Sequence, residues 1–156
     1  MKIIAIVQAR LGSTRLPNKV MKPVGADMPM IKLLLSRLIK SKKIDQVILA
    51  TSDESTNQPL VDYVRKLGYI VYQGSENDVL DRYYKASLEY NPDVIVRITG
   101  DCPLVDPEVV DSVIEAYRSM DVDYVSNTNP PTYPDGLDVE VFSTSSLKIA
   151  WKEAKL

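Results

Sequence analysis

Apolar runs rich in β-branched residues alternate with stretches of helical periodicity along almost the whole of this 156-residue chain. Lys2 to Gln8 is apolar at successive positions rather than at every second one, the pattern of a strand buried on both faces. Gln46 to Thr51, Tyr69 to Gln73, Asp93 to Thr99 and Asp123 to Ser126 read as further strands. Ile31, Leu34, Leu35, Leu38 and Ile39 recur at helical spacing, with Pro29 in the first turn and Asp27 upstream as a candidate cap. Asn57 and Pro59 open a second helix whose stripe is Leu60, Val61, Val64 and Leu67, and Gly68 ends it. Asp78 to Tyr90 sets Leu80, Tyr83, Tyr84 and Leu88 on one side. Asp106-Pro107-Glu108 starts another helix, packed through Val109, Val110, Val113, Ile114 and Tyr117. Leu137 to Phe142 alternates as a half-exposed strand, and Ser143 or Thr144 caps a last helix running to Leu156. This order predicts one α/β domain over residues 1–156: three layers, a mainly parallel sheet, helices on both faces and right-handed crossovers.

Ligands of such sheets bind beyond the carboxyl ends of the strands. Polar clusters fall at those ends here, after Val7, Ala50, Gln73 and Thr99. Composition narrows the chemistry that they can perform. The chain contains no histidine, which removes Ser-His-Asp and Cys-His catalysis and nearly all transition-metal sites. Its single cysteine, Cys102, forms no internal disulfide, has no base to activate it and reads as a packed side chain. Carboxylates, cations, hydroxyls and a hard metal such as Mg²⁺ remain. A formal net charge of −2 gives no broad attraction to nucleic acid. The opening apolar run is too short for a signal peptide and no segment suits a membrane span, which makes the cytoplasm the default compartment.

The loop after the first strand, Val7 to Pro23, gathers Arg10, Gly12, Ser13, Arg15 and Lys19. Cations and turn amides at a strand end suit a polyphosphate, although the same cations would also keep a solvated loop soluble. Neither a P-loop nor a G-x-G-x-x-G motif is present. Thr99-Gly100-Asp101-Cys102-Pro103-Leu104 follows the strand VIVRI. Asp106 fits the cap of the next helix and Asp101 lies too early for that role, which leaves its carboxylate for Mg²⁺ beside phosphate oxygens. In Gln73 to Arg82, Gly74 and Ser75 offer contacts to a base or ribose and Arg82 a contact to phosphate. A helix start with Asp78 as cap and Arg82 paired to it at i+4 is the equal alternative. Thr51 and Ser52 suit a turn as well as a ligand. Tyr133 to Glu140 carries Asp135, Asp138 and Glu140, a lining for a hydroxyl-rich acceptor or simply a wet face; alternation sets Asp138 and Glu140 on one side of a strand.

Read together, Q8-A-R-L-G-S-T-R-L-P-N-K19, T51-S-D53, G74-S75 with D78-V-L-D-R82, T99-G-D-C-P-L104 and Y133-P-D-G-L-D-V-E140 resemble a known family. They are similar to the cytidylyltransferase-like proteins that activate acidic sugars, in particular the spore coat polysaccharide biosynthesis branch. Acylneuraminate and 3-deoxy-manno-octulosonate cytidylyltransferases are its relatives. The resemblance implies a nucleotide-diphospho-sugar transferase fold and a Mg²⁺-dependent reaction of CTP with an acidic sugar, giving a CMP-sugar and pyrophosphate. It implies Arg10, Lys19 and Asp101 as catalytic residues and Asp101 as the metal ligand. Ala9, Arg10, Gly12, Ser13, Arg15, Lys19, Thr51, Gly74, Ser75 and Arg82 would surround the nucleotide, with Tyr133, Asp135, Asp138 and Glu140 near the sugar or at a dimer contact. Relatives of this kind continue past residue 156, where a further metal-binding aspartate lies, which marks the chain as shortened at its C-terminal end. A homodimer is also expected, paired through an exposed strand at Leu137 to Phe142.

Two other readings remain open on the residues alone. A glycosyltransferase of the same fold would hold its metal with an Asp-x-Asp, and Asp121-Val-Asp123 has that pattern but precedes a strand. A non-catalytic nucleotide-binding module would use the same first loop.

Overall fold

The computed structural model describes residues 1–154. Continuous apolar runs place β1 (Ile3–Gln8), β4 (Gln46–Ser52) and β6 (Val94–Thr99) in the interior of one sheet, with β5 (Ile70–Gly74) along its edge. Between β1 and β4 the chain makes a 3-10 turn (Lys19–Met21), a small hairpin of β2 (Pro23–Val24) and β3 (Met28–Pro29), and helix α1 (Met30–Leu38). The remaining elements are α2 (Gln58–Lys66), α3 (Val79–Tyr90), α4 (Pro107–Ser119), β7 (Tyr124–Ser126), β8 (Glu140–Ser143) and α5 (Thr144–Glu153).

The six-stranded sheet runs β5-β4-β1-β6-β8-β7. β1 pairs in parallel with both β4 and β6, and β4 with β5. β8 runs antiparallel to β6 and β7 antiparallel to β8. Successive residues of β1 point to opposite faces, and both faces are covered. Ile3, Ala5 and Val7 meet Leu34 and Leu38 of α1, Leu60 and Val64 of α2, and Val110 and Ile114 of α4. Ile4 and Ile6 meet Tyr83 and Ala86 of α3 and Leu147 of α5. The three-layer α/β fold expected from the sequence is therefore the fold observed. Each fully buried leucine or isoleucine in these layers contributes roughly 1.5–3 kcal/mol.

Several local expectations change. Asp27 caps no helix: it lies at φ 55° in the turn of the β2–β3 hairpin, two residues after Gly25 at φ 63°. α1 instead starts directly after Pro29, without a side-chain cap. The strand placed at Leu137 to Phe142 begins only at Glu140, so strand alternation does not relate Asp138 to Glu140. β8 is paired on both sides and offers no free edge to a second copy; the outer strand there is β7. The last helix ends at Glu153, and residues 155–156 of its expected span lie outside the described residues. Among the described residues no helix is long and apolar enough to cross a membrane.

Candidate active site

Four parallel strands end together, and the loops after β1, β4, β5 and β6 share one edge of the sheet. Because β8 is antiparallel to β6, the loop before it, residues 127–139, arrives at the same edge. The register pairs Arg97 with Glu140, and the two side chains form an ion pair.

The β1 and β6 loops are joined by a close backbone crossing. Gly100 N–H donates to the Gln8 carbonyl at 2.7 Å. A Cβ at Gly100 would stand 2.6 Å from the Ala9 Cβ and 2.6 Å from the Gln8 oxygen, an approach open only to glycine. This crossing brings the cations of one loop to the carboxylate of the other. Lys19 Nζ donates to Asp101 Oδ2 at 3.0 Å. Burial alone would raise the Asp101 carboxyl, but the hydrogen bond and charge of Lys19 outweigh it and hold the group below the ordinary carboxylate range.

Two cavities adjoin at that ion pair. The first, about 320 Å³, is lined by Gln8, Ala9, Arg10, Ser13, Thr14, Arg15, Lys19, Val20, Arg97, Thr99, Gly100 and Asp101. The second, about 630 Å³, is lined by Thr99, Asp101, Cys102, Pro103, Leu104, Pro134, Asp135, Gly136, Leu137 and Asp138. Thr99 and Asp101 are common to both. The cation loop expected from the sequence therefore forms a real concavity, with Asp101 on its rim and the acceptor candidates Asp135 and Asp138 across that rim. Burial pushes the Cys102 thiol up, and the charges of Asp101, Asp138 and Asp135 push it further. That agrees with a packed thiol and not with a nucleophile.

Other expected residues lie elsewhere. Gly12 does not line the cradle; a Cβ there would meet Glu76 Oε1 at 3.5 Å. Ser13 does line the cradle, but its N–H is already used, donating to the Leu11 carbonyl at 2.9 Å. The one left-handed residue of this loop is Asn18, at φ 56°. Thr51 is buried and its hydroxyl donates to Asn57 Oδ1 at 3.4 Å. Gly74, Ser75 and Arg82 lie at the β5–α3 junction, outside the lining of both cavities. The Arg82 guanidinium is fully buried; Nη1 donates to the Ser75 carbonyl at 2.5 Å, while Nε and Nη2 have no partner. Asp78 caps α3 through the Asp81 N–H rather than pairing with Arg82. Tyr133 is exposed outside both linings, and Glu140 is held by Arg97 and by the Tyr124 hydroxyl at 2.9 Å.

Two supporting residues escaped the sequence reading. Glu76 pairs with Arg10 at 2.5 Å. The Ser52 hydroxyl and, against the opposing effect of burial, Arg10 hold the Glu76 carboxyl below its ordinary range. Asn57, expected to open α2, makes no side-chain cap. Its buried Oδ1 instead accepts from Leu11 N–H at 2.8 Å and anchors the cation loop to the β4 loop. Only the spatial order of the strands brings these partners together. Among the described residues no group of three or more carboxylate or thiol side chains could hold a metal; Asp101 is the one candidate at the cradle.

Residues 4–156 match the cytidylyltransferase family. The chain is 48% identical over 155 residues to an uncharacterized protein of Methanocaldococcus jannaschii, covering 99% of this chain and 62% of that one. It is 42% identical over 133 residues to the spore coat polysaccharide biosynthesis protein SpsF of Bacillus subtilis, covering 83% of this chain and 55% of SpsF. The fold superposes on a cytidylyltransferase from Leptospira borgpetersenii with a TM-score of 0.94 at 35% identity, over 100% of this chain and 66% of that one. A CMP-2-keto-3-deoxy-manno-octonic acid synthetase solved with CTP shares the fold, with a TM-score of 0.80 at 17% identity, over 100% of this chain and 80% of that one. This chain thus spans less than two thirds of the length of the curated relatives that it matches. By the family match and by these similarities, the chain belongs to the cytidylyltransferase family.

Proposed function

We propose that this chain is a nucleotidyltransferase that joins a sugar hydroxyl to the α-phosphate of CTP and releases pyrophosphate, in the making of a surface polysaccharide. The observation that carries the reading is the Lys19–Asp101 pair on the rim between a cation-lined and a carboxylate-lined cavity. A triphosphate in the first cavity and an acceptor in the second would meet at that rim. The new bond joins the sugar oxygen to the α-phosphorus, the α–β phosphoanhydride bond breaks with its electron pair going to the departing pyrophosphate, and the hydroxyl proton passes to solvent. Lys19, Arg10 and Arg15 are the groups to balance charge gathering on the departing pyrophosphate. Cytosine is supported by family membership and by a cytidylyltransferase relative, the 3-deoxy-manno-octulosonate enzyme of Trichlorobacter lovleyi, 31% identical over 119 residues. The polysaccharide setting is supported by SpsF. A reaction that consumes CTP belongs in the cytoplasm.

Mg²⁺ fits the residues present. Asp101 is a half-exposed, ionised carboxylate on the rim of the cradle, and a hard cation takes one or two carboxylates together with phosphate oxygens. Once bound, Mg²⁺ supplies charge neutralisation at the phosphates.

The test is a thermal shift with ATP, CTP, GTP and UTP, with and without Mg²⁺, followed by a pyrophosphate-release assay across a sugar panel. CTP is expected to raise Tm more than the other nucleotides, with a larger shift when Mg²⁺ is present, and to yield pyrophosphate only when a sugar is added. An equal shift from all four nucleotides, or none from CTP, would overturn the reading.

A further inference from the structure

Among the described residues, the buried side-chain atoms without a hydrogen-bond partner are Gln8 Oε1, Glu76 Oε2, and Arg82 Nε and Nη2. Two of these three residues are oppositely charged and belong to one junction. Arg82 lies in the first turns of α3, and its guanidinium reaches back to the β5–α3 junction, where Nη1 donates to the Ser75 carbonyl at 2.5 Å. Glu76 follows Ser75 directly, and Glu76 and Arg82 each lie in the field of the other. The bond through Nη1 leaves open the Nε–Nη2 edge, the two-donor edge that matches a carboxylate. A fully buried arginine with one hydrogen bond is costly, because only partners offset the loss of its water. Glu76 is also only half provided for. Its Oε1 accepts from Arg10 Nη1 at 2.5 Å, while Oε2 is buried and unpaired. The Glu76 side chain is 22% exposed and that of Arg10 45%, and Arg10 lines the cation cradle whereas Arg82 does not. The carboxylate thus stands between a wet arginine of the cradle and a dry one outside it, and binds only the first. Attraction between charges is stronger where water is excluded, so a carboxylate parted from Arg10 has a better place to go than solvent.

We propose that Glu76 exchanges partners when a polyphosphate enters the cradle: Arg10 turns to the phosphates, and the Glu76 carboxylate moves to the free edge of Arg82. Arg82 is then a positioning residue, which touches no nucleotide and acts on Arg10 through Glu76. Part of the cost of parting Arg10 from Glu76 is recovered at Arg82. The inference rests on the reading of the cradle as a triphosphate site and adds to it how the cradle frees one of its cations. It gives Arg82, which the sequence reading set against phosphate, a role away from the ligand.

The experiment is calorimetry on the whole chain with two probes, CTP with Mg²⁺ and inorganic tripolyphosphate. Arg82→Met removes the receiving edge and keeps an apolar stem; it is expected to weaken both probes about fivefold or more, the scale of one charge-assisted hydrogen bond. In a Glu76→Gln background the same substitution should change either affinity by less than about twofold, because no carboxylate is left to move. Arg82→Lys keeps the buried charge without the two-donor edge and should fall between, again only where Glu76 is present. Ligand-free circular dichroism matching that of the unaltered chain shows that a variant is folded; if Arg82→Met does not fold, Arg82→Lys in the two backgrounds decides. An equal loss in both backgrounds overturns the inference, since a direct contact or a purely structural role gives that result. So does an affinity unmoved by Arg82→Met with Glu76 in place. In either case a CTP-specific thermal shift leaves the nucleotidyltransferase reading standing. Binding of tripolyphosphate with no preference for CTP among nucleotides brings down that reading alone, and the exchange is then read from tripolyphosphate. Failure of the unaltered chain to bind either probe brings down both.

Discussion

The cation cradle and the acceptor cavity adjoin, yet they are held in different ways. In the cradle Lys19 meets Asp101, Arg10 meets Glu76, and Leu11 N–H meets Asn57. Its loops are fixed to each other by a hydrogen bond at Gly100. In the acceptor cavity Asp135 and Asp138 have no such partners among the described residues, and the loop carrying them is fastened at its base. There Asn127 donates from Nδ2 to the Leu137 carbonyl at 2.8 Å and accepts from the Val139 N–H at 2.9 Å. The contrast separates two tasks. One cavity is preorganised around a fixed pattern of charge, where groups set in advance cost least at the moment of reaction. The other is lined in part by carboxylates that have no partner among the described residues.

The comparison breaks first at Asp101. Asp101→Asn is expected to lower the rate of pyrophosphate release by about 10²-fold or more, the scale of losing one charge-stabilising group. Metal-free CTP binding, read by calorimetry, should persist or tighten, because Lys19 is then free. Unchanged turnover would remove Asp101 from the reaction.

The next largest effect is at the crossing. Gly100→Ala forces a methyl group to within 2.6 Å of the Gln8 carbonyl oxygen and of the Ala9 Cβ. It should cost about 1–3 kcal/mol in urea unfolding, the scale of overpacking, and weaken CTP more than any sugar. If the two ligands weaken equally, the cradle and the acceptor cavity are not separately organised.

Glu76→Gln is milder. The Arg10–Glu76 pair is partly exposed, and such pairs are worth about 0–1 kcal/mol. Freed from its carboxylate, Arg10 should bind CTP up to about fivefold more tightly; weaker binding would show that Glu76 aims the arginine instead of competing for it.

The smallest effect is on acid stability. Asp101 and Glu76 both lie below their ordinary values in the folded chain. Their contribution is then full above the unfolded value and disappears as pH falls through the lower folded one. Near-ultraviolet circular dichroism during acid titration should show the stability gap between wild type and Asp101→Asn narrowing only below the ordinary carboxylate range. A gap unchanged down to complete unfolding would refute the ion-pair account.

Much of this architecture could be read from local pattern. β1, β4 and β6 are continuous apolar runs, and Asp106-Pro107-Glu108 does start α4, with the Asp106 side chain accepting from the Glu108 and Val109 N–H groups. What local pattern does not carry is pairing across the sheet. Arg10 and Glu76 are 66 residues apart, and they meet only because β5 lies two strands from β1. The β2–β3 hairpin has two residues per strand, too few for periodicity to mark. Asn57 resembled a cap because it precedes a helix, while its side chain serves a loop 46 positions away. For the site, the cations and Asp101 were legible because they sit directly after strands. The division of charge between two cavities was not, since it depends on β8 reversing direction.

That reversal has a consequence for how such proteins can diversify. The cation cradle comes from the first two thirds of the chain, wound as successive crossovers. The acceptor loop, residues 127–139, is inserted afterwards between two short strands and reaches the rim from the outer part of the sheet. Its length and sequence can therefore change with little disturbance to the winding of the preceding crossovers. Loop exchange between relatives should transplant a sugar preference and leave the nucleotide preference where it was.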